Sequence, residues 1–217
     1  MGVMELLLPP ACAGCARYGA VLCNACVAGM RPARRPADRF AAADPGIVIG
    51  EALDLAVAAF VHEGPLRRAL QRLKYGGAAR LAAPLASSAV SALADVVAMV
   101  DGEVVLVPIP VHPERLRQRG YNQAALIAGE LGTRTGIEVR DVLQRTRPTA
   151  RQHGLSRAAR LQNLRGAFGL RTAPPQTGTV LLVDDILTTA ATLEACAEVL
   201  RAGGTPRVIG FAIAREV

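Results

Sequence analysis

Two stretches of this 217-residue chain combine residue types that could do chemistry. The first is VLLVDDILTTAATL, residues 180–193. A short apolar run delivers two adjacent carboxylates, Asp184 and Asp185. Four residues then precede a helical pattern, and they include Thr188 and Thr189, while Thr192 falls in the first helical turn. Hydroxyls and the free amides of a first turn cradle a phosphate monoester, which the helix dipole favours. The acids would repel that phosphate. They suit sugar hydroxyls, or an Mg²⁺ that the sugar also touches. Carboxylates beside hydroxyls and amides thus describe a pocket for a ribose 5-phosphate. The second stretch is a cysteine quartet, Cys12, Cys15, Cys23 and Cys26, spaced C-x2-C-x7-C-x2-C, with the fifth cysteine far away at Cys196. Two close pairs in a reducing compartment read as a tetrahedral thiolate site for zinc, not as disulfides. Four thiolates leave no open position for substrate, so the zinc role is structural. The competing redox dithiol would need only one pair.

Those residues need elements to position them. The alternation of apolar runs and helical patterns predicts strands at 53–61, 104–110, 138–143, 179–185 and 207–214. Helices are expected from Gly64-Pro65 to the Gly76-Gly77 stop, over 80–100, near 123–134 and near 190–202. The continuous apolar strands VVLVPIP and TVLLVDD are those of an inner parallel sheet. The expected fold is α/β, a right-handed, mostly parallel sheet flanked by helices, with a small N-terminal zinc knuckle. Residues 1–46 form the knuckle and a proline-rich linker (31–46), and residues 47–217 the main domain. The segment VHPERLRQRGYNQ is expected to be a basic loop. In open α/β folds ligands bind at the carboxyl edge of the strands, where Asp184 and Asp185 emerge.

Composition narrows the function classes. Half the chain, 51%, is hydrophobic, which excludes a disordered protein. No apolar stretch is expected to reach the ~20 residues of a membrane span, because Asp95 and Asp101 interrupt the best candidate. MGVMELLLPP lacks the basic start of a secretory signal, so the expectation is a cytoplasmic protein. The net charge of +7 is uneven. Between Arg115 and Arg171 twelve arginines face three acids, which more than accounts for the whole excess and points to an anionic partner. Of 25 basic residues only Lys74 is lysine, which marks it as a position where a compact ammonium matters. The histidines His62, His112 and His153 are scattered and show no catalytic pattern.

The 180–193 segment resembles the phosphoribosyl pyrophosphate (PRPP) motif of type I phosphoribosyltransferases. The whole chain resembles the ComF family of competence-related proteins, which join a four-cysteine knuckle to such a domain. The cysteine quartet, GPLRRALQRLKYGG, VPIPVHPERLRQRGYNQA and RQHGLSRAARLQNLRGAF carry the likeness beside the PRPP motif. It implies a type I phosphoribosyltransferase-like fold and Mg²⁺-dependent transfer of a phosphoribosyl group with release of pyrophosphate. Asp184 and Asp185 would be the catalytic acids. Thr188, Thr189, Ala190, Ala191 and Thr192 would hold the phosphate, and Lys74, Arg115 and Arg119 would complete PRPP binding, with Arg117 a further candidate. Residues 145–168 would close over PRPP as a flexible loop, using Gln152, Arg157, Arg160 and Asn163. The family also implies a role in DNA uptake, with single-stranded DNA and a helicase-like competence protein as partners. The alternative is a non-catalytic factor that senses PRPP or handles single strands. The chain is only 3% aromatic, and between Arg115 and Arg171 only Tyr121 and Phe168 could stack on bases. One position departs from the family: Ala190 stands where Gly is usual. If the backbone there has positive φ, alanine costs on the order of 1 kcal/mol and weakens phosphate binding.

Overall fold

The structure, a computed structural model, describes residues 9–33, 50–147, 164 and 166–216. A short helix, α1 (Asn24–Ala28), belongs to the cysteine knuckle. The main body then runs β1 (Leu55–Val61), α2 (Gly64–Tyr75), a 3-10 turn (Ala79–Leu81), α3 (Ala82–Val97) and β2 (Val104–Pro108). It continues with α4 (Pro113–Arg119), α5 (Gln123–Thr135), β3 (Glu138–Val139), β4 (Leu143–Arg145) and β5 (Phe168–Leu170). The last elements are β6 (Thr179–Leu187), α6 (Ala191–Ala202) and β7 (Arg207–Arg215).

Five strands form the main sheet in the order β1-β7-β6-β2-β3, and all four neighbouring pairs are parallel. The fold is therefore the expected α/β class. Alternating residues of each strand enter two separate cores, as the period of two requires. Leu181, Val183, Ile209 and Phe211 pack with α2, α3 and α5 through Leu70, Leu85 and Ile127. Val180, Leu182, Val208 and Ala212 pack on the other face with Leu193 and Leu200 of α6 and with Phe168 of β5. Burial on both faces explains why the central strands read as unbroken apolar runs.

Three expectations need correction. The basic loop contains helix α4, with Pro113 at its start and Gly120 at φ 80 after its end. Proline inside the first turn and glycine just past the last is a sequence-level helix signature. The strand expected at 138–143 is two strands. β3 pairs with β2, and after Val142 the chain turns away so that β4 pairs antiparallel with β5. The linker expected from residue 31 begins as a paired edge: Val61 N–H donates to Arg31 O at 2.9 Å and Ala33 N–H to Ala59 O at 3.0 Å. Among the described residues one helical stretch, Ala79–Val97, is long and apolar enough by length and composition alone to cross a membrane, and its Leu85, Ala86, Ala89 and Leu93 are fully buried against the sheet and α5.

Candidate functional site

Strand order places the site. From β2 the sheet grows toward β3, and from β6 it grows the other way, toward β7 and β1. Loops leaving the carboxyl ends of β2 and β6 therefore diverge and leave a crevice between them. A cleft of about 770 Å³ opens there. Lys74, Arg115, Arg119, Asp184, Asp185, Thr188 and Thr192 all line it, as do Ile109, Pro110 and Val111 of the loop after β2. Thr189, Ala190 and Ala191 stand outside this wall, and both alanines are buried. Gln152, Arg157, Arg160 and Asn163 lie outside the described residues.

The two acids face opposite sides of β6, because successive strand residues alternate. Asp185 shares the side of Leu181 and Val183, toward α2, and its Oδ2 lies 3.1 Å from Lys74 Nζ. Asp184 accepts the Asp185 backbone N–H on Oδ1 at 2.8 Å. Burial, and then the neighbouring Asp185 charge, push the Asp184 carboxyl up to about 7 in spite of Lys74. The two side chains, Asp185 buried and Asp184 half-buried, offer carboxyl oxygens in a wall that also carries Lys74, Arg115, Arg119 and Arg145. That donor set fits a hard divalent cation with oxygen ligands, or hydroxyl donors from a sugar.

Each lining group is held from behind. Lys74 is the penultimate residue of α2, whose Leu66, Ala69, Leu70 and Leu73 are fully buried. Tyr121 Oη donates to Leu73 O at 2.6 Å, fixing the end of that helix. Asn122 does two jobs. Its Oδ1 accepts from Ala124 N–H at 3.0 Å, capping α5, while its Nδ2 donates to Ile109 O at 3.0 Å and pins the loop after β2. Sequence reasoning passed over Tyr75, Gln118, Asn122, Gln123, Arg145 and Glu216, all of which line the cleft. Asn122 carried a signal, an Asn immediately before a helical pattern. Arg145 and Glu216 carried none, since only the ends of β4 and β7 bring them here. Behind Glu216 sits His62, its Nδ1 3.7 Å from Glu216 Oε1 and its pKa lowered chiefly by burial, so the ring is neutral at pH 7.

Ala190 caps α6 at φ 61 and ψ −1, in the left-handed region. The costly branch of the expectation therefore applies: an L-residue there bears strain of ~1–2 kcal/mol that glycine avoids. Glu194 N–H closes the first turn onto Ala190 O at 2.8 Å.

The cysteine quartet forms a closed cage. The four Sγ atoms lie within 4.8 Å of one another, and the Cys12–Cys26 and Cys15–Cys23 separations are both 3.7 Å. Four sulfurs tetrahedrally placed at a zinc–sulfur distance of ~2.3 Å would be ~3.8 Å apart, so the set could hold that ion. The amides of Gly14 and Cys23 each donate to Cys12 Sγ at 3.3 Å. Burial opposes ionisation of Cys12, but the amide hydrogen bonds outweigh it and lower its pKa to about 6. Burial pushes Cys26 up to about 12. The knuckle is not loosely hung. Cys12, Cys26 and Met30 share a core with Leu66 and Leu70, and Arg68 Nε donates to Gly14 O at 2.6 Å.

No family model matches the chain. Curated relatives do. The chain is 34% identical over 113 residues to Competence protein F of Haemophilus influenzae, covering 51% of this chain and 49% of that protein. It is 33% identical over 113 residues to the DNA utilization protein YhgH of Escherichia coli K12, covering 52% and 49%. The matched region thus spans about half the length of these relatives. Similar solved structures include the allosteric regulatory enzyme of purine biosynthesis, at a TM-score of 0.36 and 20% identity over 60% of this chain and 25% of that one. A hypoxanthine phosphoribosyltransferase from Staphylococcus aureus has a TM-score of 0.36 and 12% identity over 66% and 74%. Through the half that aligns, the chain is similar to Competence protein F and YhgH, in keeping with the resemblance its sequence blocks carry.

Proposed function

We propose that the cleft binds PRPP with Mg²⁺ and that the protein transfers the phosphoribosyl group to an acceptor, releasing pyrophosphate. The carrying observation is the gathering of Asp184, Asp185, Thr188, Thr192, Lys74, Arg115 and Arg119 around one cleft at the carboxyl edge of a parallel sheet. In this reading the acids take the ribose hydroxyls, and Thr188, Thr192 and the first-turn amides of α6 take the 5′-phosphate. Arg115 and Arg119 take pyrophosphate oxygens, for which the guanidinium fork is suited. Bound Mg²⁺ would supply charge neutralisation at the pyrophosphate, with Asp184 and Asp185 the residues to hold it. In the transfer itself the acceptor's nucleophile bonds to ribose C1 and the C1–O bond to pyrophosphate breaks. Pyrophosphate leaves with the electron pair, and the acceptor's proton passes to solvent or base. The arginines stabilise the charge that builds on the leaving group. The knuckle holds a structural zinc.

The names of the relatives, Competence protein F and DNA utilization protein YhgH, support a role in handling DNA. A cytoplasmic location and a helicase-like competence partner are part of the proposal and rest on the family resemblance alone. In a second reading the site senses PRPP and the basic face grips single strands without turnover. Arg117, exposed on α4, a helix with no buried residue, supports that reading. Calorimetric titration of the zinc-loaded protein with PRPP and Mg²⁺, beside an Asp184→Asn/Asp185→Asn double variant, tests the pocket. Saturable binding lost in the variant is expected. Absence of binding in the intact protein would overturn the PRPP reading and leave DNA handling.

A further inference from the structure

The acceptor side of the cleft is decided by which aromatic face is free. Of the two rings inside the arginine-rich segment, Tyr121 is half-buried and bonded through Oη to Leu73 O. Phe168 is 6% exposed, with the Arg145 guanidinium 5.2 Å from its ring centroid. Neither lines the cleft. Tyr75, which lies outside that segment in sequence, is 77% exposed and stands in the cleft wall. The guanidinium of Arg119, also in the wall, lies 5.1 Å from the Tyr75 ring centroid. Among the described residues Tyr18 is the other strongly exposed aromatic, and it sits on the knuckle away from the cleft.

We infer that Tyr75, backed by Arg119, is a stacking platform for one flat nitrogen heterocycle beside the acids of the cleft. The inference deepens the phosphoribosyl reading and rests on it for the word acceptor, though not for the binding of the ring. A cation over one face of an aromatic ring is a favourable contact that also orients the ring. The other face is left to solvent, where a second π system can stack. Space is available beside it, because the next turn is Gly76-Gly77 and a Cβ on Gly77, at φ +62, would meet nothing within 4 Å. Gly77 lines the same cleft. A single platform accommodates a single ring, not the succession of stacked bases that a strand-tracking groove uses. A free heterocyclic base and one base of a single strand present the same chemistry.

The test measures binding of adenine, uracil, a short oligothymidine and an abasic strand of equal length to the wild type, Tyr75→Phe and Tyr75→Leu. PRPP–Mg²⁺ titrations run in parallel. Stacking contributes enough that Tyr75→Leu is expected to weaken ring binding about tenfold, while Tyr75→Phe stays within about twofold. Preference for the free bases identifies a small-molecule source, and preference for oligothymidine over the abasic strand a nucleic-acid source. Ring binding that is absent from the wild type, or unchanged in Tyr75→Leu, overturns the platform even if PRPP binds. Loss of ring binding in Tyr75→Leu with no PRPP binding by the wild type keeps the platform and overturns the phosphoribosyl reading instead. Because Tyr75 is an exposed side chain, its replacement does not threaten the fold.

Discussion

The knuckle and the cleft both concentrate ionisable groups, and they handle the charge in opposite ways. The knuckle draws four sulfurs from fifteen residues into a closed cage within 4.8 Å, with backbone amides already donating to Cys12. The cleft draws its groups from α2, α4, β6 and the first turn of α6. It keeps both signs of charge in an open space, and it leaves Asp184 with a carboxyl raised to about 7. The knuckle could be satisfied once, by a metal held among its four sulfurs, whereas the cleft stays open with acids and bases facing one space. Yet α2 joins them: its buried face packs on the knuckle and its last residues reach the cleft.

The largest effect expected is from removing the knuckle's metal. A chelator, or Cys12→Ser, should cost several kcal/mol and lower the melting midpoint by roughly 10 °C, read by calorimetry with zinc content measured alongside. If PRPP affinity falls too, α2 transmits the loss. If it does not, the two regions are energetically separate and the comparison breaks. Next in size is Lys74→Met, which strips the ammonium from Asp185, a carboxylate only 9% exposed. Stability should drop by about 2–3 kcal/mol, less than for a fully buried pair because Lys74 is 22% exposed. Adding Asp185→Asn should recover part of it, a non-additivity that denaturant titration would detect.

The pH response separates the regions further. The Asp184 pKa is higher folded than unfolded, so the folded state holds more protons between about pH 4 and 7. The contribution of Asp184 to stability therefore falls as pH rises through that window. Asp184→Asn should flatten the slope in cation-free buffer, and an unchanged slope would sink the assignment. The smallest effects compare two strained alanines, Ala16 at φ 62 in the knuckle and Ala190 at φ 61 before α6. Relief of left-handed strain outweighs the added freedom of an unfolded glycine, so each Ala→Gly should stabilise by about 0.5–1 kcal/mol. Of the two, Ala190→Gly alone should also tighten PRPP binding.

The residues differ in how far they could be read without a fold. Cys12, Cys15, Cys23 and Cys26 were legible as one site because knuckle geometry is local, set by turns a few residues long. Asp184, Asp185, Thr188 and Thr192 were legible for the same reason, since strand, loop and helix are consecutive. The helix α4 is marked by Pro113 and Gly120, but it is seven residues long with no buried residue, so it shows no apolar periodicity. What the chain determines alone is the set of elements and the chemistry of each short motif, through periodicity, turn residues and spacing. Tertiary structure decided the rest. It put the switch point between β2 and β6, turned Asp184 and Asp185 to opposite faces, and paired Lys74 with Asp185 across 111 positions. It also chose Tyr75 as the ring left open. Contacts between residues so far apart depend on how separate helices and strands pack, and no local spacing encodes that packing.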